Sequence, residues 1–90
     1  MQQQAAEQVV AALQQRRIFA HVYSGGVGSH GVRIVLVGGR EALWDVDGAA
    51  GLEAQVMMDG VLVGFVPKIP GSESFSIDET IEAIASATYE

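Results

Sequence analysis

The sequence predicts an α+β fold: an antiparallel meander of about five strands between an N-terminal and a C-terminal helix, in the order α-β-β-β-β-β-α. Both helices are expected on one face of the sheet. Three observations predict this. Asp59-Gly60 stands between two apolar runs, the strongest short-range hairpin signal, because a type I′ turn needs positive φ at both central residues. Apolar residues recur at helical spacing near the two ends of the chain, as amphipathic helices require. Between them, β-branched and aromatic runs follow one another across short glycine-containing breaks. Such breaks are too short for the crossovers that parallel strands need.

Residues 2–17 read as the first helix. Ala6, Val9, Val10 and Leu13 line one face, with Gln and Glu elsewhere. Gln2-Gln3-Gln4 offers little to hold the first turn, and Arg16-Arg17 place cations at the negative end of the dipole. Ile18 to Ser24 has strand composition, with Ile18, Ala20 and Val22 on one side and Phe19, His21 and Tyr23 on the other. Residues 24–31 form a glycine-rich loop. Val32 to Val37 is apolar on both faces except at Arg33, the pattern of a central strand covered on both sides. After a turn at Gly38-Gly39, Ala42 to Asp47 alternates Ala42, Trp44 and Val46 against Leu43, Asp45 and Asp47.

The hairpin comes next, over Leu52 to Val66. Folding at Asp59-Gly60 pairs Met58 with Val61, Val56 with Val63 and Ala54 with Phe65 on one apolar face. The other face then carries Met57 with Leu62, Gln55 with Gly64 and Glu53 with Val66. A one-residue slip would drive Glu53 and Gln55 into the core, so the pattern specifies its register. Pro67 lacks the N–H to continue the ladder. A loop with a Pro70-Gly71 turn leads to Ser76-Ile77-Asp78-Glu79, a capping box. Ile77, Ile81, Ile84, Ala85 and Thr88 line the face of a second helix running to about Thr88.

The 90 residues make one domain, 1–90. At 49% hydrophobic the chain suits a globular fold rather than disorder. With no cysteine, disulfides and thiolate metal centres are out of reach. A net charge of −6 disfavours nucleic acid, whose binding rests on phosphate neutralisation, and disfavours anionic membranes. No apolar run approaches the roughly 20 residues of a bilayer span. MQQQAAEQ lacks the basic and apolar regions of a signal peptide. The expected setting is cytoplasmic, with no cofactor.

Motifs with chemical meaning are few. Gly26-Val27-Gly28-Ser29-His30-Gly31 spells G-x-G-x-x-G, but a strand follows where the dinucleotide fingerprint needs a helix. The loop residues Gly26, Gly28, Ser29, His30 and Gly31, with Arg33 beside them, remain an alternative small-ligand or anion site built from backbone N–H groups. Asp45-Val46-Asp47-Gly48 fails as a calcium loop, because Leu43 and Ala54 stand where acidic ligands belong. Asp45 and Asp47 share a strand face, as acid–base pairs can, with His21 the other scattered candidate. No metal set and no convergent catalytic set emerges. One sheet face can bury both helices, which leaves the second face to explain. Its residues are Phe19, Tyr23, Val35, Val37, Met57, Leu62 and Val66. Soluble monomers seldom leave such a patch bare. The expectation is a non-enzymatic interaction module of accessory, regulatory or inhibitor type. It would self-associate, as a homodimer, or bind another protein through this face.

Overall fold

The computed structural model describes residues 1–24, 29–45 and 51–89. Helix α1 spans Gln3–Gln15 and buries the four predicted residues, Ala6, Val9, Val10 and Leu13. Each large aliphatic on that stripe contributes about 1.5–3 kcal/mol by leaving water. Five strands follow: β1 Ala20–Ser24, β2 His30–Val35, β3 Arg40–Trp44, β4 Ala54–Met58 and β5 Val61–Val66. They form one sheet in the order β1-β2-β3-β4-β5, every neighbouring pair antiparallel. Helix α2, Ile77–Ser86, closes the fold. The predicted order of helices and strands is the observed one.

The two ends of α1 depart from expectation in opposite ways. At its start, Met1 is held rather than frayed: its ammonium donates to the His30 carbonyl at 2.8 Å and to Asp45 Oδ2 at 2.5 Å. The His30 N–H returns a bond to the Met1 carbonyl at 3.2 Å. At its end, the helix stops at Gln15 and the two arginines lie beyond it. Arg17 takes the left-handed conformation, φ 64°. The Arg17 N–H then donates to the Gln14 carbonyl at 3.0 Å, and the Ile18 N–H to the Leu13 carbonyl at 3.1 Å. This is a Schellman cap with arginine where glycine is usual.

Across the sheet, Val32, Trp44 and Ala54 stand in one row and Ile34, Ala42 and Val56 in the next. All six are buried, and all but Val56 join Ala20 and Leu52 in one core with Val9, Val10 and Leu13 of α1 and Ile81 and Ile84 of α2. Trp44 is the largest of them; its indole N–H donates to the Tyr89 hydroxyl at 3.0 Å, and the two rings meet edge to face. The capping box forms as read: the Glu79 N–H donates to Ser76 Oγ at 3.2 Å and the Ser76 N–H to Glu79 Oε1 at 3.1 Å. The helix ends at Ser86, two residues before the predicted limit. Arg16 pairs with Glu82 and joins the exposed sides of the two helices. That hydrogen bond, helped by the arginine's charge, holds the Glu82 carboxyl below the usual range.

The hairpin turn is as predicted, with φ 52° at Asp59 and 79° at Gly60. Its register is not. Met58 pairs with Val61 and Met57 with Leu62, but Val56 then pairs with Gly64, Gln55 with Phe65 and Ala54 with Val66. One extra residue, Val63, enters β5 as a β-bulge. Beyond it every side chain changes face. Val66, predicted on the second face, packs against the core, and Phe65, predicted in the core, is exposed. Two smaller corrections follow. Val32 to Val37 is not covered on both sides: Val35 is exposed, and Val37 sits 91% exposed in a short 3-10 turn, Val37–Gly39. The next strand starts at Arg40 and ends at Trp44; Asp45 turns away with φ 56°, while Val46 and Asp47 lie outside the described residues.

Candidate functional site

The face of the sheet opposite the helices is built from alternate residues of all five strands. One row runs His21, Arg33, Leu43, Gln55, Phe65; the adjacent one runs Val35, Glu41, Met57, Leu62. Phe19 lies beside Val35, its carbonyl accepting the Val35 N–H at 2.9 Å. Tyr23 stands at the far end of β1, opposite Gly31. The centre is tight: Leu43 is buried among its neighbours. Arg33 and Glu41 face each other diagonally, the guanidinium Nε donating to Glu41 Oε2 at 2.5 Å. The margins are apolar and bare. Phe19 is 73% exposed and Phe65 67%, with Val35 and Leu62 near 40%.

Strand β5 is exposed beyond its share of this face. It is one of the sheet's two edges, and Val61, Leu62, Val63 and Phe65 are all exposed. On its other side a cleft of about 550 Å³ opens between Val66 and Ile69 and the last turn of α2 with the Ala87 and Thr88 that follow it. No charge interrupts Val61–Val66. Edge strands are usually blunted by charge, proline or cover; here the bulge and the terminal Pro67 are the devices present.

The sequence-predicted interface residues are thus partly gathered. Phe19, Val35, Met57 and Leu62 share the bare face and Tyr23 borders it. Val37 lies in the turn at its margin, and Val66 lies behind it. Phe65 is the residue the sequence reading missed. The one local hint was Gly64, since glycine inside a strand often accompanies a bulge.

The glycine-loop candidates separate. Gly26 and Gly28 lie outside the described residues. Gly31 is explained by packing: a Cβ there would stand 2.1 Å from the Trp44 carbonyl oxygen. Arg33 is already engaged by Glu41. Ser29 Oγ and His30 Nδ1 are buried without a hydrogen-bond partner among the described residues. His21 and His30 sit on different pairs of the β1–β2 ladder, and no group of three metal-ligating side chains occurs among the described residues.

A second cleft, about 250 Å³, lies between α1 and the Leu52 and Ser72–Phe75 segments, with Asp45 and Thr80 on its wall. Three of its polar side chains are already engaged within the fold. Asp45 holds the Met1 ammonium, Ser72 Oγ accepts the Leu52 N–H at 2.7 Å, and Thr80 Oγ1 donates to the Ser76 carbonyl at 2.9 Å. Among the described residues no helix is long and apolar enough to cross a membrane. Comparison of the chain with protein-family models, with characterised proteins and with solved structures found no match.

Proposed function

We propose that this chain is a small non-enzymatic interaction module that engages a second copy or a partner protein through the bare face of its sheet. The observation that supports the reading is the apolar margin of that face, where Phe19, Val35, Leu62 and Phe65 stand exposed with no helix over them. Apolar patches of this kind are characteristic of binding surfaces. The polar centre, Arg33 with Glu41, resembles the fixed charged pairs that set orientation at interfaces more than it contributes affinity. The cleft beside α1 supports no catalytic reading, because Asp45, Ser72 and Thr80 on its wall each already have an internal partner.

Light scattering on the wild type and on Val35→Lys tests this. Lysine at 35 faces Glu41 across the ladder, so the variant keeps its fold, which far-UV circular dichroism checks. A charge desolvated in an apolar contact costs several kcal/mol, so association through the face weakens by roughly a hundredfold or more. The wild type is expected at a higher assembled mass than Val35→Lys at equal concentration. Equal masses, with the wild type soluble throughout, would overturn self-association through this face.

A further inference from the structure

We infer that β5 is a dimerisation strand: two copies of this chain join β5 to β5 antiparallel about a two-fold axis between Val63 and Gly64. The inference goes beyond the use of the bare face, because it rests on the sheet edge and its backbone. Beside the turn, Met58 and Val61 exchange backbone hydrogen bonds as the closing pair of a two-residue hairpin. Alternation then turns the N–H and C=O groups of Met57 and Gln55 toward β3. Their partners across the ladder, Leu62 and Phe65, present their own groups to the free edge. These two residues also carry the exposed large side chains of the strand's bare-face side.

The occupant follows from self-complementarity. With the axis between Val63 and Gly64, Leu62 stands opposite Phe65 of the second copy, and Phe65 opposite its Leu62. Each is an apolar cross-strand pair on the same face. The charged residues flanking the strand are Asp59 at one end and Lys68 at the other. Antiparallel pairing brings each Asp59 toward a Lys68, whereas parallel pairing would set like charges together. Lys68 now lies 3.5 Å from Glu73 with half its side chain exposed, a surface pair weak enough to rearrange. The opposite edge, β1, is less suited, since it carries the polar His21 and Ser24 and is flanked by α1. An isologous pair uses one patch twice and closes without leaving a free copy of it. The product is a continuous sheet with the two bare faces side by side.

Disulfide trapping tests the register, and the cysteine-free chain makes each introduced thiol unambiguous. Residues directly opposite lie about 4.5–5.5 Å apart at Cα, within disulfide reach, while positions offset by three residues do not. A mixture of Leu62→Cys and Phe65→Cys should therefore give a mixed covalent dimer under mild oxidation, while each variant alone gives none. Amide exchange on the unmodified protein is the second measurement, and protection of Leu62 and Phe65 should rise with protein concentration. A monomeric wild type, single variants that bridge as readily as the mixture, or protection rising at β1 instead would each overturn the inference. A mixed dimer that forms equally in the Val35→Lys background would uphold the edge whatever becomes of the face. Loss of association on Val35→Lys with no mixed disulfide would do the reverse.

Discussion

Trp44 is fully buried, and its indole N–H donates to the Tyr89 hydroxyl. Tyr89→Phe keeps the ring and its edge-to-face contact but removes the acceptor. A buried donor left without a partner costs about 1–3 kcal/mol, and urea unfolding at neutral pH should show that loss. The same pair sets a pH dependence. Burial raises the Tyr89 phenol above its ordinary 10.0, with the Trp44 hydrogen bond pulling the other way. A folded-state value above the unfolded one means the native state holds its proton longer. The contribution is therefore intact below pH 10.0 and is lost as pH rises through the folded-state value. In alkaline titrations of stability, Tyr89→Phe should decline less steeply than the wild type above that point. Equal slopes would locate the alkaline loss elsewhere.

At the scale of the element, the caps and turns decide what was legible. The stripe Ala6, Val9, Val10, Leu13, the capping box at Ser76 and the Asp59-Gly60 turn are each written in residues whose local chemistry admits one main reading. The end of α1 was not legible, because the left-handed residue of its cap is Arg17 rather than glycine. Non-glycine residues pay about 1–2 kcal/mol for that conformation. Arg17→Gly should accordingly stabilise the fold by about 0.5–1 kcal/mol, part of the relief being returned as unfolded-state entropy. A raised midpoint in urea with an unchanged slope checks it, and a lowered midpoint would mean the Arg17 side chain contributes more than its backbone costs. The bulge in β5 was hidden for a different reason. A strict two-residue period over Val61–Val66 satisfied the core with Val63 and Phe65, and only tertiary packing selects Gly64 and Val66 instead. The bulge trades a large side chain inside for a glycine, and it sends Phe65 to the bare face.

For the whole molecule, counting elements already left one sheet face bare. Strands about 4.8 Å apart make a five-stranded sheet roughly 20 Å wide, and two helices packed about 10 Å apart cover that width once. Among the described residues no third layer covers it again. What could not be counted was which edge stays open, since that depends on how far α2 reaches toward β5. The cleft beside Val66 marks the shortfall. If a second copy closes that edge, folding and assembly are linked, and stability acquires a concentration dependence that a monomer lacks. For a dimer that dissociates as it unfolds, a hundredfold rise in concentration adds about 2.7 kcal/mol. Set against an unfolding entropy of about 2.1 cal/mol/K per residue over two chains, that raises Tm by about 7 °C. Differential scanning calorimetry across that concentration range measures it directly. A Tm that does not move means that neither the β5 edge nor the bare face is closed by a second copy. In that case the exposed side chains of β5 and the bare face await a different protein.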